Sequence, residues 1–180
     1  MSRAATLRIP PTASAPASAP AEGQRALRSA LGRFATGVTI IATRCAESRV
    51  HSITVNSFTS LSLDPALILW TLRTQSARYA TFAHCALFSV NVLAESQVDI
   101  ARRHARASSG IMASRWRGFK SECPVLEGAS AQFVCRTRNV VQEGDHAILI
   151  GEVLDFVDFD REPLLFVAGG YFSGSVLTRL

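Results

Sequence analysis

The 180-residue sequence predicts a mainly β domain, a barrel-like core with two or three short α-helices added. Three observations lead there. Several short runs alternate apolar and polar residues with period two, the spacing of a strand with one covered face. Stretches with helical spacing are brief and fall between those runs. Hydrophobic residues make up 48% of the chain, enough for one packed core at a length that fits one domain.

Residues 1–22 are rich in Ala, Pro and Ser, and Pro10, Pro11, Pro16 and Pro20 rule out a continuous helix. They read as a disordered tail, with residues 23–180 forming the domain. Leu27, Leu31 and Phe34 fall on one helical face, and Gly37 is the expected end of that helix. Val38–Thr43 is β-rich. Residues 49–63 continue as a strand, with Ile53 and Val55 alternating against Ser52, Thr54 and Asn56. Asp64-Pro65 marks a turn, and residues 66–72 form an apolar strand covered on both faces.

Ser76 is placed to cap a short helix through Phe82. Phe88, Val90 and Val92 alternate as a strand, and residues 95–105 read as a helix. Residues 107–128 look irregular. Strands follow at 129–135, beyond the Glu143-Gly144-Asp145 turn, and at 163–168, before Gly169-Gly170-Tyr171. No internal repeat is visible.

Composition narrows the function. No apolar run reaches the ~18 residues of a membrane span, and no apolar stretch follows Arg3 and Arg8 as a secretory signal requires. Cys45, Cys85, Cys123 and Cys135 have no C-x-x-C spacing, and the four histidines complete no metal pattern. They read as reduced core thiols of a cytoplasmic protein, with no metal expected. The net charge is +5, with Arg102, Arg103, Arg106, Arg115, Arg117 and Lys120 close in sequence. That group reads as a solvated helix face and loop, or as a site for cofactor phosphates. No nucleic-acid module accompanies it.

Neither a G-x-G-x-x-G, a P-loop, a G-x-S-x-G elbow nor an H-E-x-x-H motif is present. The unusual stretch is Thr54-Val55-Asn56-Ser57-Phe58-Thr59-Ser60-Leu61-Ser62-Leu63-Asp64-Pro65, dense in hydroxyl and amide side chains amid strand-like sequence. Such a row either faces solvent or forms a binding wall that supplies donors and acceptors to a heterocycle.

The order of the pieces resembles one known family. Leu31-Gly32-Arg33-Phe34-Ala35-Thr36-Gly37-Val38 is followed by the Thr54-to-Pro65 stretch, and then by Ser76 with Phe82. Phe88-Ser89-Val90-Asn91-Val92-Leu93, Gln97, Gly144-Asp145-His146, Gly151-Glu152-Val153, Pro163-Leu164-Leu165 and Gly170-Tyr171 complete it. Over roughly residues 25–173 the chain resembles the flavin reductase-like FMN-binding split-barrel family, which supplies reduced flavin to two-component monooxygenases.

The resemblance implies a six-stranded antiparallel split β-barrel that forms a homodimer with flavin at its interface. It implies hydride transfer from NADH or NADPH to FMN or FAD, and an oxygenase partner that receives the reduced flavin. Carried over by position, Thr36, Thr54, Val55, Asn56, Ser57 and Ser62 would hold the flavin, with Arg73 and Ser76 approaching its phosphate. His146, beside Asp145, and Tyr171 would lie on the nicotinamide side. Two positions depart from the family pattern: Ser52 stands where Gly is common, and Ala66 where a second Pro is common. The first bears on how closely the backbone approaches the flavin. Hydride transfer between two cofactors needs no protein nucleophile, so no catalytic side chain is expected. Rival readings are a flavin-binding sensor or storage protein, and a flavin-dependent oxidase on the same barrel.

Overall fold

A computed structural model of the chain describes residues 21–44, 49–106, 115–119 and 123–176. The expected tail lies outside them, except that Ala21 and Glu22 already begin helix α1 (Ala21–Leu31). Cys45, Lys120 and residues 107–114 of the expected irregular segment also lie outside. The helix stops at Leu31, earlier than Gly37, because the chain turns through residues 32–34 and enters β1 (Thr36–Gly37). Its expected apolar face is there but bare: Leu27 is 61% exposed, Leu31 66% and Phe34 79%.

Seven strands form one antiparallel sheet: β2 (Thr39–Arg44), β3 (Val50–Val55), β4 (Thr59–Leu63), β5 (Ala66–Arg73), β6 (Leu87–Val92), β9 (Ala131–Glu143) and β10 (His146–Asp158). Their order is β3-β2-β6-β9-β10-β5-β4. The sheet thus has seven strands where the sequence reading expects a six-stranded barrel. The 49–63 stretch, read as a single strand, supplies two of the seven. It breaks at residues 56–58, and its halves pair on opposite edges of the sheet, β3 with β2 and β4 with β5.

A second, three-stranded sheet joins β1 to β11 (Leu164–Val167) and β12 (Gly170–Ser173). Ala168 and Gly169 close its last hairpin, both at positive φ (50° and 81°), as a two-residue hairpin loop requires. Residues read as irregular contribute β7 (Trp116–Phe119) and β8 (Cys123–Leu126), which pair with each other.

The core follows from the alternation. On β5, Ile68, Trp70 and Leu72 are buried and Leu67, Leu69 and Thr71 half-buried, so one face of that apolar run is sealed and the other partly covered. Trp70 meets Phe82 of α2 (Tyr79–Ala83) edge-on at 5.3 Å and Phe88 of β6 at 6.0 Å. The Phe88 ring needs Gly151: a Cβ there would lie 2.5 Å from its Cζ, at a bulge where β10 slips against β9. A second cluster, around Ile40, Leu93, Leu126 and Leu164, lies under α3 (Val98–Arg106) and the smaller sheets. Cys123 and Cys135 are free thiols in the interior, and burial pushes both up to about 12, so they are protonated at neutral pH. Among the described residues no helix is long and apolar enough to cross a membrane.

Candidate functional site

The break between β3 and β4 builds one wall of a cleft. Because those strands lie at opposite edges, the three residues 56–58 must bridge the edges of the sheet. Phe58 turns inward to Phe133, 5.8 Å between rings. The Ser57 hydroxyl donates to the Thr71 carbonyl at 3.2 Å and accepts from the Thr71 N–H at 3.0 Å. It thereby stands in for backbone at the edge of β5, past the last pair, Thr59 with Leu69. Asn56 is left facing outward, exposed.

The facing wall comes from α1 and the small sheet. Thr36 pairs with Phe166 across β1–β11, and Phe166 packs on Tyr171 at 5.2 Å. The Gly32 carbonyl accepts from the Ala168 N–H at 2.8 Å, tying the end of α1 to the β11–β12 turn. Between the walls lies a cleft of about 1220 Å³, reached by Thr36, Gly37, Asn56 and Ser57 together with Arg28, Arg33 and Phe34. A smaller hollow of about 160 Å³ shares Asn56 and Phe166 with it and adds Thr54, Val55 and Tyr171.

Two buried hydroxyls at these walls, those of Thr36 and Thr54, have no hydrogen-bond partner among the described residues. A buried polar group left unpaired costs roughly 1–3 kcal/mol, so the walls are incomplete in the single chain and fit a polar ligand. Gly37 adds room, since a Cβ there meets nothing within 4 Å. The hydroxyls of Ser52 and Thr54 on β3 are therefore turned away from solvent, while Asn56, past the end of the strand, is exposed. Ser52 does not approach the cleft: its hydroxyl lies 3.1 Å from His104 Nε2 of α3, buried.

Four expected site residues lie elsewhere. Ser62 is half-buried on β4, beside the bulge opposite Leu67. Arg73 and His146 are direct partners across β5–β10, at the rim where Gly144 turns the β9–β10 hairpin. There Asp145 lies 2.7 Å from His146 Nδ1 and 3.6 Å from Arg73. The hydrogen bond from His146, with the His146 and Arg73 charges behind it, holds the Asp145 carboxyl below the usual carboxylate range. Arg73 is two residues beyond Thr71, ~7 Å along the strand from the Ser57 contact. Ser76 does not cap a helix. Its hydroxyl accepts from Arg78 N–H at 3.3 Å, and α2 begins only at Tyr79 with Arg78 as its uncapped lead-in.

The sequence pattern pointed to the β3–β4 wall, and the resemblance to Thr36 and Tyr171 of the facing wall, but neither pointed to the arginines of α1 and its turn. Arg28 and Arg33 sit in an ordinary-looking amphipathic helix and turn, and nothing in their spacing sets them apart. Of the arginines the sequence pattern did single out, Arg117 lies 2.7 Å from Glu127, and Arg102 lies 4.0 Å from Asp99 and 6.0 Å over the Tyr171 ring.

The chain is thus an antiparallel, mainly β domain with a polar-walled cleft between its two larger sheets. The chain belongs to the flavin reductase like domain family, which matches residues 31–175. It is 41% identical over 150 residues to the reductase component of the flavin-dependent trigonelline monooxygenase of Acinetobacter baylyi, covering 83% of this chain and 48% of that protein. It is 37% identical over 150 residues to the FMN reductase (NADH) SmoA of Agrobacterium fabrum, covering 83% and 86%. Among solved structures it resembles the NADH:FAD oxidoreductase SgcE6 of Streptomyces globisporus, in complex with NAD and FAD fragments. There the TM-score is 0.78 at 30% identity, over 84% of this chain and 92% of that one. The chain spans about half the length of the trigonelline relative and most of the other two.

Proposed function

We propose that this protein is an NAD(P)H:flavin oxidoreductase that reduces FMN or FAD with NADH or NADPH and passes reduced flavin to an oxygenase. The observation that carries the reading is the pair of buried, unpartnered hydroxyls of Thr36 and Thr54 flanking Asn56 at the cleft of a flavin reductase like domain. When bound, the flavin accepts a hydride from the reduced nicotinamide.

The chain's own part is positioning. Thr54 and Asn56 present a hydroxyl and an amide to the polar edge of the ring system. Ser57 offers its remaining lone pair and its backbone, because Thr71 occupies the rest of the hydroxyl. Val55 and Phe166 supply apolar cover. Tyr171, and His146 with Asp145 from the rim, act on the nicotinamide side. Ser62, Arg73 and Ser76 complete the flavin site by similarity. A second copy would cover the bare apolar residues of α1 together with Leu63, 93% exposed, and Phe156, 64% exposed. The curled seven-stranded sheet, open between β3 and β4, would serve as the split barrel, and the protein would work in the cytoplasm.

Flavin-dependent oxidation of NADH and NADPH, with FMN and FAD each in turn, tests the reading. Oxidation that scales with added flavin is expected. No oxidation in any pairing overturns it. Light scattering is expected to give the mass of a dimer.

A further inference from the structure

The cleft carries charge of one sign. Its charged lining residues are Arg28 and Arg33, and no carboxylate joins them. Neither arginine makes an ion pair among the described residues, whereas Arg73, Arg117, Arg136 and Arg138 all do. Arg28 stands in the last turn of α1, where a cation is favoured by the helix dipole. That accounts for one arginine only, because Arg33 lies past the helix end. Its backbone is fixed there: Arg33 N–H donates to the Ala30 carbonyl at 3.1 Å, and the neighbouring Gly32 carbonyl is tied to Ala168. Both side chains are exposed, so their guanidinium groups can turn toward an anion held in the cleft. On the same wall stands the unpartnered Thr36 hydroxyl, and across the cleft the exposed amide of Asn56.

We propose that Arg28 and Arg33 form the phosphate-binding wall of this cleft, holding the phosphate oxygens of a nucleotide whose ring system lies toward Asn56. Guanidinium groups suit the task, since their planar forks meet phosphate oxygens two at a time. The proposal rests on the reductase reading and extends it to residues the sequence pattern did not mark. Two sources share the chemistry: the pyrophosphate of the nicotinamide donor, and the phosphate of the flavin, for which the resemblance gives Arg73 and Ser76 instead.

The test pairs each phosphate-bearing ligand with a phosphate-free one. The variants are Arg33→Ala, Arg28→Ala, the double variant and Arg33→Lys. The KM for NADH is compared with that for N-benzyl-1,4-dihydronicotinamide, and the Kd for FMN with that for riboflavin by fluorescence titration. The expected result is a loss of about tenfold for NADH or for FMN, whichever phosphate is held, with its phosphate-free counterpart unchanged. Arg33→Lys should recover part of the loss, and the double variant should exceed either single one. Equal losses for both members of each pair, or no loss in either pair, would overturn the proposal. Should the unmodified protein show no flavin-dependent oxidation, the reductase reading falls, while the titrations of FMN, riboflavin and NADH still decide whether the arginines bind phosphate.

Discussion

The two ends of strand β3 present the same chemistry to different neighbours. Ser52 and Thr54 are two residues apart, lie on the same face, and each carries a hydroxyl. At the first end α3 closes over the strand, and the Ser52 hydroxyl meets His104 Nε2 at 3.1 Å. At the second end no helix follows, and the Thr54 hydroxyl is buried without a partner beside the hollow that holds Phe166 and Tyr171. One polar row therefore serves the fold at one end and remains available to a ligand at the other. What separates them is whether another element supplies the missing hydrogen bond.

The comparison breaks first at Ser52. Ser52→Ala removes the bond to a buried histidine and should destabilise the protein by about 1–3 kcal/mol in denaturant unfolding. Flavin affinity should not move; a matching loss of flavin binding would mean that the two ends are not separate.

Gly37 tests the open end by filling it. Gly37→Val adds a side chain where a Cβ meets nothing within 4 Å, at a residue whose φ is not positive, so stability should hold. Intrusion on a ligand should weaken flavin or nicotinamide binding by an overpacking cost of about 1–3 kcal/mol. Unchanged kinetics would show that this part of the cleft is not used.

Asn56→Ala should cost up to roughly tenfold in flavin affinity, the worth of one hydrogen bond to an uncharged group, with the fold intact. Thr54→Val sharpens the contrast because its two effects have opposite signs. Removing an unpartnered buried hydroxyl should stabilise the ligand-free protein by ~1 kcal/mol, while flavin binding weakens. Stability and affinity falling together would place Thr54 with Ser52, as a residue of the fold.

The smallest effect is expected at the rim. His146→Ala removes an exposed, solvent-screened contact to Asp145, so stability should not change measurably. Its readout is the KM for NADH or NADPH, expected to rise with flavin affinity unchanged. A normal KM and normal turnover would take His146 out of the site.

Much of this was legible in the chain itself, and the failures have one kind of cause. Period-two alternation marked β3, β6 and β9, because burial on one face is written locally in which residues alternate. The polar stretch from Thr54 marked one wall of the cleft for the same reason. The 49–63 stretch, by contrast, read as one strand because its composition stays β-like through residues 56–58. Its break is set by which edges of the sheet its halves pair with, and pairing is a long-range choice that local pattern does not encode. Residues 107–128 read as irregular, yet β7 and β8 stabilise each other there, four residues apiece.

The class of fold, the polar wall and the family resemblance can all be read along the chain, since each rests on residue types in a local order. The packing of distant segments settled which hydroxyls are spent. Ser52 is satisfied by a helix 52 residues away, and Ser57 by a strand edge 14 residues away, while Thr36 and Thr54 are left open. It also decided that Arg28 and Arg33 face that wall, through the turn at Gly32 and its bond to Ala168. A side chain's hydrogen-bonding capacity is a property of its type. Whether that capacity is still free depends on what the rest of the chain brings beside it.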